Sequence, residues 1–189
     1  GNPHASNYNE GADGDLAGTL STSGGLAPTQ LTATVGTNSI SLGVPEGGDR
    51  DYFTFTVPAG HGLSSIVHTS YASTDNLSFM GFQAGAQLTE PFSGANPANL
   101  LGYLHFGPTT VGTDVLDNLA NSDTSMPAAA GFDAPLPAGP YTFWVQQTGV
   151  QAAYSFDFAT TPVPEPGQWA LMLGGALLVA ARVRRSRAA

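Results

Sequence analysis

The stretch Tyr52-Phe53-Thr54-Phe55-Thr56-Val57, followed by Pro58-Ala59-Gly60, decides the fold class. Large apolar residues alternate with threonine at a period of two, so Phe53, Phe55 and Val57 take the core face of a strand and Thr54 and Thr56 point outward. The Pro-Ala-Gly that follows ends the strand, because proline has no amide to donate and glycine permits the turn. Outward from this segment the same alternation recurs. Leu31-Thr32-Ala33-Thr34-Val35 and Ser39-Ile40-Ser41-Leu42-Gly43-Val44 read as two strands about a turn at Gly36-Thr37-Asn38. Residues 63–68 and 77–82 read as partner strands with Asp75-Asn76 turning between them, and residues 100–106 as another. Residues 141–147 and 154–158 are expected to form a hairpin across 148–153. Residues 84–99 and 126–139 read as loops.

One helical piece stands out, Thr113-Asp114-Val115-Leu116-Asp117-Asn118-Leu119-Ala120, with Thr113 as its expected cap and an acid in its first turn. Around eight short strands and one short helix predict an all-β domain. Its expected form is an antiparallel β-sandwich, jelly-roll-like, with the helix plugging an end of a sheet.

The chain divides into four parts by composition. Residues 1–25 form an acidic, irregular lead, 26–160 the sandwich, 161–168 a proline-rich spacer, and 169–189 a C-terminal hydrophobic helix with basic residues. The sandwich is large enough to bury one proper core. There is no cysteine, which removes disulfides, thiolate metal sites and cysteine nucleophiles. The formal net charge is −9, and Arg50 is the only basic residue before the tail, so the body is more acidic still. That argues against nucleic acid, whose phosphates demand a basic face, and favours cations or neutral glycans.

The tail reads Val163-Pro164-Glu165-Pro166, then an apolar run from Trp169 to Ala181, then Arg182, Arg184, Arg185 and Arg187. As a helix the run would be about 20 Å long, against a hydrocarbon core of about 30 Å. Arginine stems lying along apolar surface and local bilayer thinning close part of that gap. The arginines follow the run, so the positive-inside bias leaves the C-terminus in the cytoplasm and the body exported. The amino terminus, Gly1-Asn2-Pro3-His4, is polar; with export, the expectation is a mature chain from which a signal has been removed.

These three tail features, in this order, resemble the PEP-CTERM sorting signal of Gram-negative bacteria. The resemblance implies export, transient anchoring in the inner membrane, recognition by an exosortase-type processing enzyme near the Pro-Glu-Pro motif, and a place at the cell surface or in an exopolysaccharide or biofilm matrix. A second resemblance lies in the body. Asp49-Arg50-Asp51-Tyr52-Phe53-Thr54-Phe55-Thr56-Val57-Pro58-Ala59-Gly60, with the later Leu136-Pro137-Ala138-Gly139-Pro140-Tyr141-Thr142-Phe143 and Tyr154-Ser155-Phe156, is similar to bacterial pre-peptidase C-terminal domains. Those are small sandwiches attached to secreted enzymes. Residues 84–134 depart from the compact family pattern.

Several residues could carry chemistry. Asn9, Glu10, Asp13 and Asp15 offer oxygen ligands on one loop, which suits calcium with its six to eight oxygens. The pre-peptidase resemblance implies calcium at positions matching Glu10, Asp13 or Asp15, together with Asp49 or Asp51. The alternative is a solvated acidic lead with ordinary turn aspartates. His61, His68 and His105 coexist with serines and aspartates, but no Gly-x-Ser-x-Gly elbow or His-Glu-x-x-His pair is present, so a non-catalytic protein is expected. Trp144 falls on the opposite strand face from Phe143 and Val145, and so lies either in a second packed layer or exposed as a candidate glycan contact. The sequence thus predicts a non-catalytic exported surface or matrix protein. The alternatives are a carbohydrate-binding module and a self-assembling structural protein that pairs copies through open sheet edges.

Overall fold

A computed structural model describes residues 7–16, 28–44, 50–91, 93–124, 127–147 and 149–163. The strands in these residues are β1 (Asn7–Asn9), β2 (Thr29–Thr32), β3 (Gly36–Val44), β4 (Arg50–Val57), β5 (His61–Ser73), β6 (Ser78–Ala84), β7 (Gly102–Phe106), β8 (Gly139–Gln146) and β9 (Ala152–Pro162). They form two sheets, in the order β1-β3-β9-β5 and β2-β4-β8-β6-β7. The all-β sandwich expected from the alternation is the fold observed. Asp49, Pro164, Glu165, Pro166, the C-terminal helix from Trp169, and Arg182, Arg184, Arg185 and Arg187 lie outside the described residues.

The core lies between the sheets and is built on aromatic rings. Phe143 of β8 stacks between Phe53 (5.3 Å, 12°) and Phe82 (5.0 Å, 8°), while Phe158 of β9 meets its edge at 5.2 Å and 87°. Offset and edge-to-face pairs of this kind each add about 0.5–1.5 kcal/mol beyond the area they bury. Phe53, Phe55 and Val57 are all buried, as their alternation requires. Thr54 points away from the core but is also buried, its hydroxyl bonded to Thr142 Oγ1 at 2.8 Å and to Ala86 O at 3.2 Å. The cause is a second layer: residues 85–91 and 93–101 cover the outer face of the five-stranded sheet, burying Tyr52, Leu88, Leu100 and Trp144 together.

The pairing differs from the sequence expectation in a consistent way. β2 and β3 do not pair with each other: β2 runs parallel to β4, and β3 antiparallel to β9. β8 and β9 form no hairpin either; β8 lies between β4 and β6 while β9 lies between β3 and β5. β4, β5 and β6 likewise alternate between sheets. Alternation in sequence fixes which face of a strand is apolar but not which neighbour it pairs with, and crossing the sandwich buries those faces equally well. Two edge pairs, β1 with β3 and β2 with β4, are parallel, so the sandwich is not purely antiparallel. Asn38 holds the β2–β3 crossover, its amide donating to the carbonyls of Thr34, Gly36 and Phe158 at 3.0–3.1 Å.

The helical segment is shorter than its sequence suggests. Helix α1 (Glu10–Asp13) precedes it in the lead, and α2 spans Leu116–Ala120. Thr113 does not cap α2: its hydroxyl bonds Thr110 O, and Asp114 Oδ1 accepts from Leu116 N at 3.0 Å and from Ile66 N at 2.9 Å. Asp114 thereby starts the helix and ties it to the edge of β5, where Val115 N also donates to Ile66 O at 2.8 Å. Leu63 and Leu136 exchange bonds of 2.8 and 3.0 Å further along that edge. The long edge strand is therefore partly covered, one of the ways folds avoid pairing with other chains.

Candidate metal centre

Residues 7–16 of the lead fold against the sandwich despite their polar, acidic composition, because two apolar side chains pin them. Tyr8 and Leu16 are buried in the main core. β1 extends the four-stranded sheet beside β3, with Tyr8 opposite Ile40, and the Tyr8 hydroxyl donates to Gly14 O. Between these anchors α1 makes a single turn. Asn9 Oδ1 accepts from Gly11 N at 2.9 Å, and Asp13 Oδ2 accepts from Asn9 N at 2.8 Å, a reciprocal cap. Asp13 is thus committed to the backbone of the turn.

Glu10 and Asp15 face the sandwich instead. With Asp51 of β4 they place one carboxylate oxygen each within 4.8 Å of one another. Of the five acids in the sequence expectation, the fold brings together Glu10, Asp15 and Asp51. It turns Asp13 away, and Asp49 lies outside the described residues. Two oxygens each about 2.4 Å from a calcium ion are at most about 4.8 Å apart, so the spacing fits a shared hard cation, and an all-oxygen donor set suits calcium.

Each acid is positioned by its own contacts. Glu10 Oε1 accepts from Leu16 N at 3.0 Å and Oε2 from Gly43 N at 2.5 Å, which ties the lead to β3. Asp51 is fully buried, and Oδ2 accepts from the Tyr154 hydroxyl at 3.2 Å. Asp15 is exposed and closes the cluster from the solvent side. Burial pushes the Glu10 carboxyl up; the charge of Asp15 adds to this, while the Gly43 and Leu16 amides and a hydrogen bond with Asp51 oppose it. A buried carboxyl beside two others needs a proton or a cation to offset the repulsion. The same charges act on Tyr8, whose hydroxyl is pushed up to about 12, first by burial and then by Glu10, Asp13, Asp15 and Asp51. The cluster opens on a cleft of about 1010 Å³, bounded by Glu10 and Asp15 on one side and by Ser73, Thr74 and Gln151 on the other.

The remaining candidate residues fall elsewhere. Trp144 is 3% exposed, stacked near Tyr52 (6.3 Å, 21°) and tilted against Phe79 (4.7 Å, 57°), with Nε1 donating to Gln146 Oε1 at 3.2 Å. It belongs to the second packed layer, and its face is closed to a sugar ring. His61 and His68 lie on β5 and His105 on β7. His61 Nδ1 meets Ala59 O at 3.0 Å and His68 Nδ1 meets Thr110 Oγ1 at 2.8 Å. Among the described residues neither ring is hydrogen-bonded to a serine hydroxyl or a carboxylate. Sequence reasoning missed Tyr8, Leu16 and Tyr154 as supports of the acidic cluster; the two apolar positions set in a polar lead were the available signal.

Val163 ends β9's exit, donating its amide to Gly60 O at 2.9 Å. Among the described residues no helix is long and apolar enough to cross a membrane. Comparisons with family models, curated proteins and solved structures give no match to this chain.

Proposed function

We propose that the chain is a non-catalytic, exported surface or extracellular-matrix protein whose sandwich is fastened at one end by a divalent cation, calcium. The observation that carries this reading is the convergence of Glu10 and Asp15 from the lead with buried Asp51 from β4. Three carboxylates in that spacing, in a body whose single basic residue before the tail is Arg50, attract a hard cation and no anion. The ion would neutralise the cluster and join the lead to both sheets, a structural role that replaces the cross-links a cysteine-free chain lacks. The acids would be ligands and nothing more: among the described residues the His61 and His68 rings bond Ala59 O and Thr110 Oγ1 and no carboxylate.

Export and sorting rest on the tail, in which Val163, Pro164, Glu165 and Pro166 precede an apolar run and then Arg182, Arg184, Arg185 and Arg187. In this reading an exosortase-type enzyme processes the chain near Glu165, and the released body joins the surface or the polysaccharide matrix. The carbohydrate-binding alternative loses its leading contact with Trp144 in the second layer, and strand addition between copies must work around the partly covered edge of β5.

Intact mass and C-terminal fragment sequencing of the protein from its native cells test the sorting half. A chain ending between residues 163 and 167 is expected. A chain that keeps Arg182 to its end would overturn the processing step.

A further inference from the structure

The two ends of the sandwich differ in charge. β9 runs for eleven residues, about 35 Å at roughly 3.3 Å per residue, from Ala152 near the acidic cluster to Pro162 at the opposite end. At the first end lie Glu10, Asp15 and Asp51, with Asp75 near Gly149. At the second end the chain turns through three stretches that carry no acid and no lysine or arginine, residues 33–37, 57–63 and 134–139, the last preceded by exposed Asp133, before leaving through residues 160–163. Register places them together: Gly36 pairs with Thr160, His61 with Pro162, and Val57 with Gly139. The Gly62 backbone lies against Pro135 and Val163.

Of the four large apolar side chains that are exposed among the described residues, two, Val35 and Val163, lie on this rim, and Leu77 and Val111 lie away from it. Val35 is 62% exposed and Val163 42% exposed. Ala59, Pro135, Pro137 and Ala138 are exposed beside them. Single exposed apolar residues are ordinary, but here they gather at the point from which the tail departs. Only Pro164 to Gln168, five residues, separate Val163 from Trp169 at the head of the apolar run. At no more than about 3.6 Å per residue, the six steps from Val163 keep the rim within about 22 Å of that tryptophan, and tryptophan favours the headgroup level of a bilayer.

We infer that, before the tail is processed, this rim seats on the bilayer surface, with the acidic end held away from it. The inference rests on the reading of the tail as a membrane segment. Val35 and Val163, with the prolines and alanines between them, supply the apolar contact. The three rim stretches carry no acid and Asp133 alone borders them in sequence, which keeps repulsion from anionic headgroups small, while the acidic cluster sits several screening lengths away at about 8 Å each. The seat would hold the spacer and its Pro-Glu-Pro motif at the membrane face, within reach of a membrane-embedded processing enzyme.

The chain has no cysteine, so single cysteines report cleanly. Spin labels are placed on Val35→Cys, Val163→Cys, Thr74→Cys and Leu178→Cys of the full chain in vesicles of phosphatidylethanolamine and phosphatidylglycerol. Accessibility to oxygen and to a water-soluble nickel chelate gives the depth of each. The expected result places position 178 in hydrocarbon, positions 35 and 163 at headgroup depth with most of their chelate accessibility lost, and position 74 fully in water. Position 178 in hydrocarbon with 35 and 163 as accessible as 74 would overturn the seat while leaving the tail reading intact. Position 178 in water would overturn both.

Discussion

The Tyr154 hydroxyl donates to Asp51 Oδ2 at 3.2 Å, joining the two sheets beneath the acidic cluster. Tyr154 is on β9 of one sheet and Asp51 on β4 of the other, and both are buried. The contact holds one carboxylate of the candidate site in place from the core side. Tyr154→Phe keeps the ring and removes the donor, so a loss of about 1 kcal/mol is expected in denaturant unfolding. The larger consequence is a weaker response to calcium, because Asp51 loses its orientation. A variant that responds to calcium as the parent does would assign Tyr154 to packing alone.

His68 gives the protein an acid limit. Its ring is buried, stacked on Phe156 at 4.9 Å and 24°, with the edges of Phe106 and Tyr71 around it. Burial pulls its pKa below the usual 6.5, against the opposing effect of the Ser70 and Thr110 hydrogen bonds. The folded state then binds fewer protons than the unfolded state, so this contribution to stability is present above pH 6.5 and is lost as pH falls through the lowered value. The melting midpoint is expected to drop between pH 7 and pH 5, and to drop less in His68→Phe. Parallel curves for the two proteins would clear His68 of that role.

Gly107 is required by a close approach. A Cβ at this position would sit 2.0 Å from Asn76 O, a backbone atom that cannot move aside cheaply. Its φ of −173° is ordinary extended backbone, so space rather than conformation makes the demand. Gly107→Ala is expected to cost about 1–3 kcal/mol. Thermal unfolding checks this, and a midpoint equal to the parent's would mean that the β6–β7 end relaxes freely.

Phe143 is the centre of the stacked set Phe53, Phe143 and Phe82. Phe143→Ala would leave a cavity in contact with both sheets and is expected to cost about 3–5 kcal/mol. A loss under about 1 kcal/mol, read from denaturant titration, would show that the surrounding rings collapse into the space.

How far the sequence could be read follows from what alternation encodes. Phe53-Thr54-Phe55-Thr56-Val57 declared both a strand and its core face, and the same held for Tyr154, Phe156 and Phe158. The pairing was not legible, since β8 and β9 have complementary apolar faces whether they lie in one sheet or in two. Thr54 and Trp144 looked outward in sequence and do point outward, but residues 85–91 and 93–101 fold over them, and no local periodicity reports a covering loop. At the site, the residue types offered Asn9, Glu10, Asp13 and Asp15 as oxygen donors, the pre-peptidase resemblance added Asp49 or Asp51, and which of them converge was not legible. The exclusion of Asp13 came from its bond to Asn9 N, a cap that competes for the same carboxylate.

The central claim is that Glu10, Asp15 and Asp51 hold a divalent cation that fastens the lead to the sandwich. The most direct test is the melting midpoint of the full chain in millimolar calcium and in chelator, with Asp15→Asn in parallel, since Asp15 is exposed and its amide form leaves the core untouched. The account predicts a higher midpoint in calcium for the parent and a much smaller difference for Asp15→Asn. Equal midpoints for the parent in calcium and in chelator would contradict it.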